Sequence, residues 1–225
     1  MSTFKITKIT GKLTLESGLH IGSGDTEMHI GGVDNQVIKD PITGEPYIPG
    51  SSLKGKIRSL LEYYAGSHVK TDGRPLSASK ASTDLEKHIV TLFGSSGSDD
   101  RNAEFGVSRL VFSDTYLNKE SRQSIMQTYG KFTEVKAENS INRLKGTAEN
   151  PRFTERVIKG AVFDFAVSMR IFPKDNYDQL MEVFLTGLKL LTFDALGGSG
   201  SRGYGKVSIK FDKEDLQEKF DKITF

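Results

Sequence analysis

The 225-residue sequence predicts an α+β domain with a ferredoxin-like βαββαβ core, an antiparallel sheet covered on one face by two helices. One observation is the unbroken alternation of apolar residues from Phe163 to Ile171, which is typical of a strand. Another is the recurrence of Leu53, Ile57 and Leu61 along one helical face. The third is the order of the periodic segments, which is strand, helix, strand, a long insertion, then strand, helix, strand.

The first strand is predicted from apolar residues that nearly alternate between Phe4 and Leu15. The alternation slips by one position between Ile6 and Ile9. Because an extra residue in one strand shifts which side chains face the core, the slip predicts a β-bulge near Gly11.

Two helices and a second strand follow. The helix over residues 53–64 is predicted to take Ser51 or Ser52 as its N-cap, since a serine hydroxyl can accept from a free amide of the first turn. Residues 85–93 have the same helical spacing and are followed by a glycine, which commonly ends a helix. Residues 107–112 are predicted to be a strand.

The second half of the chain repeats this order after an insertion. Residues 113–160 are rich in charge and asparagine and have weak periodicity, so the chain is predicted to be one domain, residues 1–225, with a large insertion there. Residues 180–191 predict another amphipathic helix, and residues 207–211 predict the last strand. The acidic tail from Asp212 onward is compatible with either a helix or an irregular segment.

Composition excludes several classes of protein. The chain has no cysteine, which excludes a disulfide framework, thiolate zinc sites and a cysteine nucleophile, and fits a reducing cytosol. No run of apolar residues exceeds three, so we expect neither a membrane span nor a cleaved leader, and we expect a cytoplasmic protein. The 31 basic and 29 acidic residues give a net charge of +2, so any case for nucleic-acid binding depends on where the charges lie.

Two segments of the chain resemble nucleotide-binding motifs but do not meet all the requirements of those motifs. Gly198, Gly200 and Gly203 have dinucleotide-binding spacing, yet they follow a predicted helix and precede a strand, the reverse of what that motif requires. The segment from Gly50 to Lys56 imitates a phosphate-binding loop, but an isoleucine follows the lysine where a magnesium-binding hydroxyl is needed. We therefore expect no nucleotide hydrolysis.

Three features favour a polyanion as the ligand. Lys54 and Arg58 lie one turn apart on the first helix, whose N-terminus offers amides and a positive dipole end to a phosphate. Residues 197–206 combine five glycines with Arg202, Lys206 and Tyr204, so a backbone could approach a ligand closely, beside groups that can meet phosphates or stack on bases. Residues 130–160 carry seven basic and four acidic side chains. Each feature taken alone is also compatible with a solvated surface or a flexible turn.

Five segments together resemble a known family. They are Leu19-His20-Ile21-Gly22, Gly31-Gly32-Val33-Asp34 with Lys39-Asp40, Ile48-Pro49-Gly50-Ser51-Ser52-Leu53-Lys54-Gly55-Lys56, Thr133-Glu134-Val135-Lys136 with Asn150-Pro151-Arg152, and Gly197-Gly198-Ser199-Gly200-Ser201-Arg202-Gly203. In this order they resemble the Csm-type backbone subunit of type III-A CRISPR effector complexes, a member of the RAMP superfamily. The resemblance extends over nearly the whole chain.

The resemblance implies an RRM-like core with palm and fingers, and a thumb formed by the insertion. It implies that Asp34 is the catalytic residue and a ligand of Mg²⁺ or another divalent metal such as Mn²⁺, in a reaction that cuts target RNA. With the basic residues above, it predicts an RNA-binding set: His20, Ser52, Lys54, Lys56, Arg58, Lys136, Arg143, Arg152 and Arg202. The implied partners are guide crRNA, target single-stranded RNA, further copies of the chain in a helical filament and other subunits of the complex, with no membrane.

Two functional classes remain open at this point. The first is an RNA-guided endoribonuclease, which Asp34 favours. The second is an architectural subunit that binds crRNA without cutting, and the equivalent subunit of a Cmr-type complex is a variant of the first. Asn35 and Gln36 replace a small residue and a proline that many relatives have after the aspartate, which puts the cleavage rate in question more than RNA binding.

Overall fold

The computed structural model describes residues 4–24, 35–95 and 102–225 and confirms the predicted α+β class. The first half contains β1 (Lys5–Leu15), α1 (Gly50–Tyr64), α2 (Ser67–Lys70), α3 (Asp84–Phe93), α4 (Asn102–Phe105), β2 (Leu110–Phe112) and β3 (Tyr116–Leu117). The second half contains α5 (Lys119–Tyr129), β4 (Thr133–Ile141), β5 (Ala148–Val157), β6 (Val162–Ile171), α6 (Tyr177–Phe193), β7 (Val207–Phe211) and α7 (Glu214–Asp221). None of the helices in these ranges is both long and apolar enough to cross a membrane.

The main sheet is antiparallel and has the strand order β2-β6-β1-β7, with the short β3 also paired to β6. Its two central strands, β1 and β6, pair from Lys5 opposite Ile171 to Thr14 opposite Val162. The chain passes from β1 through α1 and α3 to β2, and from β6 through α6 to β7. Each outer strand is therefore connected to a central strand through helices. These connections, together with the strand order, are the ones that the predicted βαββαβ core requires.

The predicted bulge in β1 is wrong, because β1 pairs with β6 without a register shift. Ile9 faces the core, whereas Ile6 points to the other side of the sheet and is 60% exposed, so an exposed isoleucine produced the slip in the pattern. Gly11 meets a packing requirement instead. A Cβ there would lie 2.4 Å from the carbonyl oxygen of Lys210 on β7 and 2.8 Å from the ring of Phe165.

The core lies between the sheet and the two main helices, α1 and α6. Leu53, Ile57 and Leu61 on α1 are buried, as their spacing predicts. Gly187 on α6 lets the two helices pack closely, since a Cβ there would lie 2.6 Å from Ile57 and 2.8 Å from Leu61. Burial of these apolar faces against the sheet is the main source of stability for such a layered arrangement.

The strand predicted over residues 107–112 is shorter than expected, because Arg109 turns into the interior. Its guanidinium donates to both carboxylate oxygens of Asp175, at 2.7 and 2.9 Å, and both side chains are almost fully buried. Regular pairing with β6 begins only at Leu110. A buried charge pair of this kind is tolerated because each charge has a partner with good geometry.

The inserted segment contains more regular structure than its weak periodicity predicted. α5 is capped by the Asn118 side chain at its start and ends at Gly130 in the left-handed conformation. β4 and β5 then form a separate two-stranded hairpin, which we call the inserted hairpin. Val157 at its base is buried in the core, whereas residues 143–150 around its turn are all exposed. The acidic tail is partly helical, as α7.

Candidate nucleic-acid interface

The N-terminus of α1 is capped by a residue distant in sequence. The amide of Gly50 donates to a carboxylate oxygen of Asp114, 2.8 Å away, from the segment between β2 and β3. The predicted N-cap, Ser51 or Ser52, is wrong, because Pro49 occupies the cap position and makes no side-chain cap hydrogen bond. A carboxylate now lies where a phosphate was expected to approach the helix end, so the predicted phosphate contact at α1 would depend on its basic side chains.

Two of the basic side chains of α1 have partners within the protein. Lys56 Nζ lies 2.9 Å from the carboxylate of Asp194, three residues before the Gly-rich loop at residues 197–206. Arg58 donates from Nε to Glu62 and from Nη2 to the carbonyl oxygen of Leu76, both at 2.7 Å. A phosphate at either cation would compete with these contacts.

Lys54 differs from its two neighbours on α1. Its side chain is partly buried, and no carboxylate in the described part of the chain pairs with it. Burial and the nearby charge of Arg58 lower the pKa of Lys54. A partly desolvated ammonium beside another cation is a site where an anion is stabilising. Ser52, also partly buried, lies half a turn before it on the same helix.

In the Gly-rich loop, residues 197–206, two positions require glycine because the backbone there packs closely against other parts of the same chain. Gly197 and Gly205 have φ of +74° and +71°, which L side chains rarely adopt. A Cβ on Gly197 would lie 2.3 Å from the carbonyl oxygen of His20, and one on Gly205 would lie 1.9 Å from that of Leu196. The sequence interpretation, that these glycines admit a ligand, is therefore replaced at both positions by close packing of backbone on backbone.

The base of the inserted hairpin meets the Gly-rich loop through a cluster of charges. Glu138 on β4 lies 3.1 Å from Lys136 Nζ and 3.2 Å from Arg202 Nη1. Lys136 also donates to the carbonyl oxygen of Arg202 and lies 4.6 Å from the ring centroid of Tyr204. Burial, with the Glu138 carboxylate adding to it, raises the pKa of Tyr204 and keeps the phenol neutral. Two predicted RNA-binding residues, Lys136 and Arg202, are thus brought together.

The remaining basic residues of the predicted set lie further along the hairpin. Arg152 on β5 is opposite Glu138 in the ladder and lines a cleft together with Asn150 and Arg202. Arg143 is exposed in the turn that joins β4 to β5. The structure therefore groups Arg152 with Lys136 and Arg202, and places Arg143 at the far end of the same element.

A second set of contacts surrounds the stem of the loop that follows β1. Residues 21–23 and 35–38 form a short antiparallel pair, which we call the loop stem. Gly22 pairs with Val37, and the amide of Ile38 donates to the carbonyl oxygen of Ile21 at 2.8 Å. His20 directly precedes the stem. Its carbonyl oxygen accepts from the amide of Gly198 at 2.9 Å, which joins the stem to the Gly-rich loop.

Glu155 on β5 connects the loop stem to the inserted hairpin. Its carboxylate accepts from Lys39 Nζ at 2.7 Å, Thr133 Oγ1 at 2.7 Å and the amide of Val37 at 3.0 Å. Its carbonyl oxygen accepts from Nδ1 of His20 at 2.7 Å, which fixes the proton of that ring on Nδ1. Burial alone would raise the pKa of Glu155, but these hydrogen bonds outweigh it and hold the pKa below its ordinary value.

Sequence reasoning missed Glu155. It was counted among the acidic residues of a charged segment, and such residues are usually solvated. No spacing or neighbouring residue distinguishes it from Glu134 or Glu149 in the same segment. Its burial follows only from the way that β5 lies against the loop stem.

Asp34, the residue predicted to be catalytic and metal-binding, lies outside the described residues. Within residues 4–24, 35–95 and 102–225, no three His, Asp or Glu side chains are grouped so as to hold a metal ion. The acidic side chain nearest in sequence, Asp40, has a carboxylate oxygen that accepts from the amides of Ile42 and Thr43. The described side chains therefore supply no ligand set for Mg²⁺ or Mn²⁺.

Fold and site together define a class of protein: a small α+β domain that gathers basic side chains where an inserted hairpin meets a Gly-rich loop. The chain belongs to the RAMP superfamily, which it matches over residues 12–208. The family predicted from the five sequence segments is thereby confirmed.

Individual relatives agree with this assignment. The chain is 43% identical over 211 residues to the CRISPR system Cms endoribonuclease Csm3 of Streptococcus thermophilus, with 92% of this chain and 89% of the relative covered. It is 42% identical over 204 residues to the protein of the same name from Methanocaldococcus jannaschii, with 90% and 77% covered. It also resembles a chain in the crystal structure of the Csm3-Csm4 subcomplex in the type III-A CRISPR-Cas interference complex, with a TM-score of 0.56, 27% identity and 100% of both chains covered.

Proposed function

We propose that this chain is the RNA-binding backbone subunit of a type III-A CRISPR interference complex and an endoribonuclease that cuts target RNA in antiviral defence. Several copies would lie along the guide crRNA as a helical filament with the other subunits, in the cytoplasm, and would cut complementary single-stranded RNA at regular intervals. Specificity would come from base pairing with the guide, while the protein holds the shape of the backbone.

The observation that carries this proposal is the convergence of three distant segments. The loop stem, the base of the inserted hairpin and the Gly-rich loop meet through His20, Glu155 and Lys136. These are the segments on which the family resemblance depends. Their meeting groups Lys136, Arg152 and Arg202 on one side of the molecule, where cations can contact successive phosphates of a single strand.

The reaction that fits this site is attack of a ribose 2′-hydroxyl on the adjacent phosphate. The hydroxyl loses its proton, a bond forms between its oxygen and phosphorus, and the bond from phosphorus to the 5′-oxygen of the next nucleotide breaks. The departing 5′-oxygen takes up a proton, so the products are a 2′,3′-cyclic phosphate and a 5′-hydroxyl. We assign Asp34 to this reaction because of the family resemblance and because it directly precedes Asn35, whose carbonyl oxygen accepts from the amide of Glu155 on the inserted hairpin. A requirement for Mg²⁺, or for Mn²⁺, belongs to the proposal, and since the described side chains form no ligand set we assign no step to the metal.

The names of the relatives favour the enzyme over a silent architectural subunit, since the relatives from Streptococcus thermophilus and Methanocaldococcus jannaschii are both called endoribonucleases. Reconstitution decides between the two. The complex is assembled on a guide and given a labelled complementary RNA, with Mg²⁺ or with a chelator. Evenly spaced cuts that need the metal support the proposal, whereas tight binding without cutting supports the architectural class.

Asp34→Ala is the decisive variant. We expect it to abolish cutting while guide and target binding survive, because removal of one negative charge near phosphates does not weaken binding. Glu134→Ala is the matched control, since it also removes one carboxylate, but from a residue that pairs with Arg156 on the inserted hairpin. Unchanged cut positions and rate in Asp34→Ala would contradict the catalytic assignment. Loss of RNA binding together with cutting would make Asp34 a structural residue.

A further inference from the structure

Residue 155 contacts both arms of the loop stem. On the arm after β1, its carbonyl oxygen accepts from His20 Nδ1. On the returning arm, its amide donates to the carbonyl oxygen of Asn35 at 2.9 Å, and its carboxylate accepts from the amide of Val37. One residue of the inserted hairpin therefore holds both arms of the loop stem.

The carboxylate is bound from a third direction by the hairpin itself. Thr133 on β4 donates to the same oxygen, Oε1, that accepts from Lys39 Nζ, while Oε2 accepts from the amide of Val37. The Glu155 side chain is 8% exposed. A buried carboxylate with three donors is a rigid connection, because moving any partner leaves a buried charge less well satisfied.

We propose that Glu155 is a positioning residue for RNA cleavage: it fixes the chain at Asn35 and Val37 to the inserted hairpin and so sets the rate of cutting without contacting the reacting atoms. This rests on the proposed role of Asp34, which directly precedes Asn35. A shift of about 1 Å in a reacting group can cost on the order of a hundredfold in rate. A connection of this kind therefore affects rate more than it affects RNA binding.

The chemistry of the connection requires a carboxylate of this length. Glutamine has the same shape, but its amide nitrogen is a donor, so it can accept either from the Lys39 and Thr133 side or from the Val37 amide, and not from both. Aspartate keeps the charge but is one methylene shorter, so it cannot span from β5 to the Val37 amide and to Thr133 together.

The experiment compares Glu155→Gln with Glu134→Gln in the reconstituted complex. Glu134 is the matched control because it lies on the same hairpin, faces the opposite side of the ladder and pairs with Arg156 instead of the loop stem. Single-turnover cutting and guide and target affinity are measured for both. Hydrogen exchange of the amides of residues 35–38 is measured on the same proteins, with the amides of β1 and β6 as an internal reference.

We expect Glu155→Gln to cut roughly ten- to a hundredfold more slowly with affinities within about twofold of the parent. The amide of Val37 should exchange at least about tenfold faster while the β1 and β6 amides are unchanged. Glu134→Gln should match the parent in all three measurements. Glu155→Asp should restore neither the rate nor the protection of Val37.

Several outcomes overturn the inference. Parent-like cutting by Glu155→Gln, with or without faster exchange at Val37, shows that the connection does not control the reaction. Loss of assembly or RNA binding shows that Glu155 supports the hairpin as a whole. If Asp34→Ala cuts normally, the catalytic proposal fails by itself. Faster exchange at Val37 in Glu155→Gln would then show that the connection is real but not catalytic.

Discussion

Lys54 and Lys56 lie two residues apart on α1 and offer an internal comparison for the proposed RNA-binding surface. Lys56 is neutralised by Asp194 at 2.9 Å, whereas Lys54 has no acidic partner in the described ranges. Burial and the charge of Arg58 lower the pKa of Lys54, so its ammonium gains most from an added anion. We expect Lys54 to contact a guide phosphate, and Lys56 to contribute much less.

The expected magnitude follows from counterion release. Each phosphate neutralised on a single strand contributes a slope of about −0.7 in the logarithm of affinity against the logarithm of salt concentration. Lys54→Met should therefore flatten the slope by about 0.7. Over a fivefold range, from about 0.1 to about 0.5 M salt, the ratio of parent to variant affinity should fall roughly threefold. Lys56→Met should change the slope by less than about half of that, since its charge is already paired.

The assay is fluorescence anisotropy of the purified chain with labelled single-stranded RNA of two unrelated sequences, at five or more salt concentrations. Both sequences should give the same change, because a phosphate contact does not distinguish bases. Equal slope changes in the two variants would contradict the expectation that Lys54, without an acidic partner, contributes more to RNA binding than the paired Lys56. An unchanged slope in Lys54→Met would remove Lys54 from the RNA surface.

Two further predictions concern stability and the inserted hairpin. Glu86 is almost fully buried, and although burial would raise its pKa, hydrogen bonds from Lys70, Thr83 and Ser82 hold the pKa at about 2, below the ordinary 4.5. The ionised carboxylate therefore stabilises the folded protein above pH 4.5, and this stabilisation is lost as pH falls from there towards 2. Glu86→Gln should lower the free energy of unfolding at pH 7 by up to about 3 kcal/mol and make the melting temperature depend less on pH. Parallel curves of melting temperature against pH for parent and variant would contradict this. Replacing residues 143–150 by a two-residue Asn-Gly turn should leave the melting temperature of the chain nearly unchanged, because these residues are exposed. In the reconstituted complex, the spacing of the cuts should become irregular or cutting should fail. Regular cutting by the shortened chain would contradict the assignment of the inserted hairpin as the thumb.

Periodicity predicted the elements that bury one face. α1, α3, α6 and β6 lie where their apolar spacing placed them, because burial against the sheet and helix periodicity select the same residues. The same reasoning failed for β1, where the exposed Ile6 was read as part of the core face. A single surface isoleucine costs little in the folded protein but shifts the apparent phase of a short strand.

The inserted hairpin was missed for the opposite reason. All nine residues of β4 are partly buried or exposed, so its sequence does not alternate between core and solvent. Its strands are held by main-chain pairing with each other, which leaves little trace in side-chain type. α5 did leave a signal, since Asn118 and Gly130 are typical residues for the start and end of a helix.

The candidate site was predicted in part. The family segments located the basic residues, and the structure groups Lys136 with Arg202 as those segments implied. Asp114 at the start of α1 and Glu155 at the loop stem could not be predicted, because both act on chain more than 60 residues away in sequence. A capping or bridging carboxylate is recognised only once the topology shows what it faces.

The position of β1 between β6 and β7 determines when the protein can fold during synthesis. Both hydrogen-bonding neighbours of β1 lie after residue 161, so the first strand leaves the ribosome long before either partner exists. Contacts of such long sequence separation also slow folding, because the closing of a long chain segment must precede them. Since the Gly-rich loop docks on His20 only when residues near 198 have been made, a nascent chain cannot form this contact before that stage of translation.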